Sequence, residues 1–140
     1  MIGDLTAGSE RNPGTENPIE YVPPEFEPPY RVMLFAAAAH GWYQAADDDD
    51  RERILARLAA YFAEWEGRGA RLLYSFDDDY FVTGQPSSLD YSIYVQYEVD
   101  SLDMVAAMIQ QVREEVDGVR LDRSFRMEAR IGRPLFLLDR

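Results

Sequence analysis

Two alternating segments and two segments of helical period predict the framework of this chain. Apolar and polar residues alternate over 91–99 and again over 125–131, which is typical of strands with one buried face. Apolar residues recur every three or four positions over 54–65 and 102–116, which predicts two amphipathic helices. An apolar run over 31–39 and a segment rich in β-formers over 71–83 predict two more strands, the first buried on both faces. The predicted order is β-α-β-β-α-β.

The ends of the predicted helices carry the expected capping residues. Four carboxylates, Asp47 to Asp50, lie at the start of the first helix, where the positive end of the helix dipole favours them, and Gly67 and Gly69 end it. The second helix is predicted to begin at Asp100 or Ser101 and to close at Gly118. The acidic run 77–79 predicts a bulge or turn inside the second strand.

This order of elements predicts an α+β, ferredoxin-like βαββαβ fold, with both helices on one face of an antiparallel sheet. The polar faces of the third and fourth strands then point away from the helices. That surface is either solvated or packed on a second copy, which would make a dimeric α+β barrel enclosing a polar cavity. Because the helices of one copy cover only one face of the sheet, we expect a homodimer.

Composition separates residues 1–29 from the predicted domain over residues 30–140. The first segment contains six prolines and three glycines, so neither a helical nor a strand period survives in it. We interpret it as an extended, Pro-rich N-terminal arm. Its apolar residues, among them Tyr21 and Phe26, suggest contact with a partner enzyme.

The charge and composition exclude several classes of function. A formal net charge of −12 argues against binding to nucleic acid or to an anionic membrane surface. The absence of cysteine and lysine excludes disulfides, thiolate metal sites and amine nucleophiles. The first 14 residues have neither a basic region nor an apolar run, so we expect no signal peptide and a cytoplasmic protein. No nucleotide-binding motif occurs, and no cofactor is predicted.

His40 is the single histidine and directly follows the first predicted strand. Its ordinary pKa suits general acid–base catalysis near neutral pH. In the predicted topology the start of the fourth strand, near Arg126, lies beside it, with Tyr91 and Thr83 at the same edge of the sheet. The alternative is a histidine that only caps the end of a strand or helix.

Arg126, Glu128 and Arg130 share one face of the fourth strand. Two guanidinium groups beside a carboxylate could hold an anionic or enol-bearing small molecule, since arginine binds carboxylates in a bidentate fork. The alternative is a row of cross-strand ion pairs that contribute little.

The candidate site combines these groups with aromatic and amide side chains. The candidate catalytic residues are His40, Arg126, Glu128 and Arg130. The candidate substrate-binding residues are Trp42, Tyr43, Tyr91, Tyr94 and Gln96. Neither acidic run has the spacing of a calcium-binding loop, so no metal site is predicted.

Three segments carry a resemblance to a known family: SFDDDYFVTGQP (75–86), DYSIYVQYEV (90–99) and RMEARIGRPL (126–135). The chain resembles the IacB-like proteins of bacterial indole-3-acetic-acid degradation clusters over residues 30–135. More distantly, its order of elements is similar to the dimeric α+β barrels that include antibiotic-biosynthesis monooxygenases. The resemblance implies cofactor-independent oxidation or rearrangement of an aromatic, indole-like or polyketide-like substrate. The Pro-rich arm lies outside it.

Two functional hypotheses follow from these observations. The first is an enzyme of small-molecule metabolism, in which His40 moves a proton and Arg126 or Arg130 holds an oxyanion. The second is a non-catalytic ligand-binding protein or an accessory subunit of a neighbouring enzyme, which the Pro-rich arm favours.

Overall fold

The computed structural model describes residues 27–85, 91–135 and 137–138. Apart from Glu27, Pro28 and Pro29, which are exposed, the predicted N-terminal arm lies outside the described residues. The described elements are β1 (Tyr30–Ala38), α1 (His40–Tyr43), α2 (Asp48–Gly67), β2 (Arg71–Asp77), β3 (Ile93–Val99), α3 (Leu102–Gln111), β4 (Glu115–Val116), β5 (Val119–Arg120), α4 (Leu121–Ser124) and β6 (Phe125–Gly132).

The four long strands form one antiparallel sheet in the order β2-β3-β1-β6. β1 lies at the centre, with Leu34 opposite Val95 of β3 and Ala129 of β6. The predicted α+β class is confirmed, and the sheet is compatible with a ferredoxin-like fold. Among the described residues, no helix is long and apolar enough to cross a membrane.

The helix α2 forms where the apolar period predicted it. The Asp47 carboxylate accepts a hydrogen bond from the Asp50 amide at 2.9 Å, and three further aspartates occupy the first turn. This arrangement confirms that the acidic run begins the helix. The buried residues of α2 pack with those of α3, β1 and β3 in one core, which places both helices on the same face of the sheet.

Aromatic side chains fill the centre of this core. Trp65 is fully buried and stacks on Tyr97, with ring centroids 5.0 Å apart. The Tyr97 hydroxyl donates to the Phe62 carbonyl at 2.9 Å, and the Tyr61 hydroxyl donates to the Met108 carbonyl at 2.7 Å. Burial raises the pKa of Tyr61 to about 12. These bonds explain how two hydroxyl groups are tolerated in an apolar interior.

The second predicted helix is shorter than expected. α3 ends at Gln111, and the small hairpin of β4 and β5 follows, with its turn at Asp117 and Gly118. Both turn residues have positive φ, 53° and 79°, which is the conformation of a tight primed hairpin turn. The prediction that the helix continues to Gly118 was therefore wrong, because the apolar Val116 belongs to the hairpin.

The second strand is also shorter than the 71–83 segment that predicted it. β2 ends at Asp77, and its one irregularity of register with β3 lies between Leu72 and Tyr74. The predicted acidic bulge is thus misplaced, since Asp77 closes the strand and the next two aspartates follow it.

Candidate functional site

The helices pack on one face of the sheet, and we call the opposite face the outer face. The sheet register assigns fourteen strand positions to it: Arg31, Met33, Phe35, Ala37, Arg71, Tyr74, Phe76, Tyr94, Gln96, Glu98, Arg126, Glu128, Arg130 and Gly132. Four arginines and two glutamates give these positions a net charge of +2, in a chain of −12. The outer face is therefore a locally cationic, aromatic surface on a strongly acidic protein.

Glu128 lies at the centre of a hydrogen-bonded group on this face. Tyr91 donates from its hydroxyl to Glu128 Oε1 at 2.6 Å, and Arg130 donates from Nε to Glu128 Oε2 at 2.7 Å. The guanidinium of Arg126 lies 5.5 Å from the centre of the Tyr91 ring. Both oxygens of Glu128 are thus engaged, and the predicted row of charges includes an ion pair.

These contacts change the acidity of the groups involved. The Arg130 guanidinium, helped by the Tyr91 hydroxyl, lowers the pKa of Glu128 below its ordinary value. The hydrogen bond to Glu128 raises the pKa of Tyr91. At neutral pH, Glu128 is therefore an anion and Tyr91 is a hydrogen-bond donor.

Phe35 joins this group to the neighbouring strands. Its ring lies 5.4 Å from that of Tyr91 and 5.7 Å from that of Tyr94, the second pair edge to face. The Arg130 guanidinium lies 5.3 Å from the centre of the Phe35 ring. Tyr94 also donates to the Asp78 carboxylate, which raises the pKa of Tyr94. The result is a continuous aromatic and arginine cluster across three strands.

A second ion-pair group occupies the other end of the face. Glu98 accepts from Arg31 Nε at 3.1 Å and also from Arg71. Arg71 and then Arg31 lower the pKa of Glu98. One carboxylate between two guanidinium groups leaves a surplus of positive charge at this end.

A surface cavity of about 860 Å³ lies on the outer face between these two groups. Met33, Phe35 and Gln96 line its floor, while Arg31, Glu98 and Arg130 contribute charged walls. Its volume is within the range of about 300–1,000 Å³ typical of small-molecule sites. Over half of the Arg130 side chain is exposed, and its two Nη groups have no hydrogen-bond partner among the described residues.

The structure brings together six of the nine predicted site residues. Tyr91, Tyr94, Gln96, Arg126, Glu128 and Arg130 lie on or beside the outer face, although only Gln96 and Arg130 line the cavity.

The three remaining predicted site residues, His40, Trp42 and Tyr43, belong to α1 and do not line the cavity as the described residues define it. Trp42 packs against Phe125, with ring centroids 5.9 Å apart, at the edge of the core on the helix side. Tyr43 is exposed.

His40 lies next to the start of β6, as predicted, because the Ala39 amide donates to the Ser124 carbonyl at 2.8 Å. The His40 side chain is exposed, and the residue is the first of the helix α1. Tyr91 is close to this edge, whereas Thr83 lies six residues beyond the end of β2. His40 therefore does not line the cavity on the outer face, and its role as the base of a pocket stays a prediction.

Arg31, Met33, Phe35 and Glu98 also line the cavity, although the sequence pattern did not single them out. The run 31–39 is apolar on both faces, which hides the fact that Met33 and Phe35 line a cavity. Arg31 was detectable as the one charged residue of that run.

The chain was compared with known protein families, sequences and structures. None of the family models, curated protein sequences and solved structures compared with the chain matches it.

Proposed function

We propose that this protein binds a small aromatic anion in the cavity on the outer face of its sheet. One observation carries the proposal: a cavity of about 860 Å³ places an aromatic floor beside guanidinium groups, on the cationic face of an acidic chain. An aromatic ring would lie against Phe35 and Met33, and a carboxylate would be held by Arg130. The resemblance to IacB-like proteins supports an indole-like ligand.

The proposal includes a second copy of the chain, as in a dimeric α+β barrel. Tyr74 and Phe76 of the edge strand β2 are about 60% exposed, and their rings stack 6.2 Å apart. An apolar surface of this kind is typical of a contact with another protein. A second copy packed across the outer face, from β2 to β6, would enclose the cavity and shield its charges from water.

Binding without catalysis is the better-supported form of this function. The predicted base His40 does not line the cavity, and both oxygens of Glu128 are already hydrogen-bonded. A carboxylate held in this way positions Arg130 and Tyr91 and is poorly placed to accept a substrate proton.

One observation favours the enzyme as a second candidate. The hydrogen bond of 2.6 Å between Tyr91 and Glu128 joins a proton donor to an anion next to the cavity. A substrate that arrives as an enolate could take its proton from the Tyr91 hydroxyl, and water would then reprotonate the tyrosinate. Turnover of an enolisable aromatic acid that is lost in Tyr91→Phe and retained in His40→Ala would support this candidate over the predicted histidine base.

Calorimetric titration with indole-3-acetate and its neutral analogue indole-3-acetamide tests the binding function. We expect the acid to bind at least about tenfold more tightly, because a hydrogen bond to a charged group contributes roughly 1.5–3 kcal/mol. Arg130→Gln should remove most of this preference. Arg113→Gln is the matched control, since it removes the same charge from an exposed position after α3.

Two results would count against the proposal. One is the absence of binding by aromatic acids at millimolar concentration. The other is binding that Arg130→Gln and Arg113→Gln change equally.

A further inference from the structure

The residues that directly follow β2 form an exposed loop of carboxylates and apolar side chains. We call residues 78–82 the β2 loop; it begins with Asp78 and Asp79. Tyr80, Phe81 and Val82 follow and are 97%, 73% and 75% exposed. The Asp78 carboxylate accepts a hydrogen bond from Tyr94 on the outer face, whereas the exposed Asp79 carboxylate has no hydrogen-bond or ion-pair partner among the described residues. The loop thus presents one available carboxylate beside two aromatic rings.

The cavity on the outer face offers groups that complement this loop. Met33 and Phe35 form its apolar floor, and Arg133 lies in its wall. Arg133 is exposed, and within the described part of the chain its guanidinium forms neither a hydrogen bond nor an ion pair. Because Arg130 is the group that would hold the ligand carboxylate, Arg133 is available for a second carboxylate.

The β2 loop and Arg133 lie at diagonally opposite corners of the sheet. β2 and β6 are its two edge strands, about 14 Å apart at a usual strand spacing. The loop follows Asp77, which pairs with Ile93 beside the last residues of β1. Arg133 follows Gly132, which pairs with Arg31 near the start of β1. The β2 loop accordingly does not line the cavity of its own chain.

A symmetric dimer can bring these two corners together. When two sheets pack face to face with their strands crossing at near right angles, a two-fold axis can lie along one diagonal of the interface. That axis exchanges the two corners of the other diagonal. The β2 loop of each copy then lies over the Arg133 corner of its partner, and both copies make the same contact.

We propose that, in the homodimer, the β2 loop of each copy closes the cavity of its partner. The Asp79 carboxylate pairs with the partner's Arg133, and the rings of Tyr80 and Phe81 cover the cavity on the side opposite Phe35. A single copy therefore holds an incomplete site. The inference rests on the second copy included in the proposed function, whereas the contact between loop and cavity forms without ligand.

Chemical crosslinking of the full-length protein tests the contact. The chain has no cysteine, so Thr83→Cys with Pro134→Cys places one thiol next to the β2 loop and one next to Arg133. We expect a short bismaleimide linker to join two chains, because these corners are roughly 20 Å apart within one chain. Thr83→Cys with Ala59→Cys, at an exposed position of α2, is the matched control. Absent crosslinking, or equal crosslinking of both double variants, overturns the proposal.

Exchange of the two charges tests the pairing of Asp79 with Arg133. Asp79→Arg and Arg133→Asp should each weaken dimerisation at least about tenfold in sedimentation experiments, because like charges would meet across the interface. The double variant should restore dimerisation, since it forms the same ion pair in reverse. Both side chains are exposed, so neither change is expected to impair folding. A double variant as weak as the single variants overturns the pairing.

Calorimetry with indole-3-acetate separates this inference from the proposed function. Phe81→Ala should weaken binding about tenfold while the protein remains a dimer, because the ring that covers the ligand is lost. Unchanged affinity overturns the closure and leaves ligand binding intact. A dimer that binds the acid but is not crosslinked likewise overturns only the loop contact. Crosslinking without any binding of aromatic acids supports the loop contact and contradicts the proposed ligand, and a monomeric wild-type protein contradicts both.

Discussion

Gly41 shows how tightly α1 is packed at the residue scale. A Cβ atom at this position would lie 2.4 Å from the carbonyl oxygen of Arg123, a backbone atom that precedes β6. No side chain can rotate away from such a contact, so either α1 or the start of β6 must shift. Glycine is required here for close approach of two backbone segments.

Gly41→Ala is expected to destabilise the protein by about 1–3 kcal/mol, the usual cost of overpacking. Gly67→Ala is the matched control, because a Cβ at that helix residue meets nothing within 4 Å. Replacing a helical glycine by alanine stabilises by roughly 0.5–1 kcal/mol. Urea unfolding of both variants measures the difference, and equal effects would contradict the close contact.

Strand alternation was the most informative residue-scale signal. It placed Tyr94 and Gln96 on the outer face together with Glu128 and Arg130, and the register confirms this placement. It could not place His40, because the direction that a chain takes after a strand depends on packing between distant segments. Here the hydrogen bond from Ala39 to Ser124 and the short helix α1 decide that direction.

The helix α3 shows what periodicity can and cannot specify at the element scale. The apolar period over 102–116 runs through Leu102, Val105 and Ile109, but the structure buries Val105 and Met108 and exposes Leu102. Ile109 is only half-buried. A period of three or four fixes a helix, whereas its rotation against the sheet is set by the partner side chains.

We therefore expect Met108→Ala to cost about 2–5 kcal/mol of unfolding free energy, as does Leu58→Ala in α2, since both side chains are buried. Ile109→Ala, for which the sequence pattern predicts the same loss, should cost clearly less. Chemical denaturation of the three variants checks the order. If Ile109→Ala lowered the unfolding free energy more than Met108→Ala, Ile109 would face the core, as the apolar period predicted.

The hairpin that follows α3 could have been predicted from the sequence. Asp117-Gly118 is a pair that favours a tight hairpin turn, and Val116 and Val119 flank it. The apolar period masked this signal because Val112 and Val116 are four residues apart. The helical period and the hairpin turn both assign a place to Val116, and in the structure Val116 pairs with Val119 of β5.

At the scale of the whole molecule, the outer face sets the expected assembly. Tyr74 and Phe76 of β2 are exposed, and Tyr80, Phe81 and Val82, which follow this strand in the sequence, are exposed as well. Large exposed apolar side chains are typical of a contact with another protein, which is the basis of the proposed second copy.

Sedimentation of the purified protein at micromolar concentration is expected to give a homodimer. Phe76→Glu should shift it towards a monomer, because a carboxylate would be buried in the interface without a partner. Leu55→Glu, at an exposed position of α2, is the matched control and should leave the dimer intact. A monomeric wild-type protein would contradict the proposed barrel.

The outer face has a net charge of +2, whereas the whole chain has a net charge of −12, and this difference affects the rate at which an anionic ligand binds. At low ionic strength, an approaching anion first meets the repulsion of the whole molecule, and the arginines attract it only at short range. At about 0.15 M salt the Debye length is roughly 8 Å, which screens the distant carboxylates more than the guanidinium groups at the cavity. Moderate salt should thus accelerate capture of an anionic ligand here, the reverse of the usual electrostatic steering.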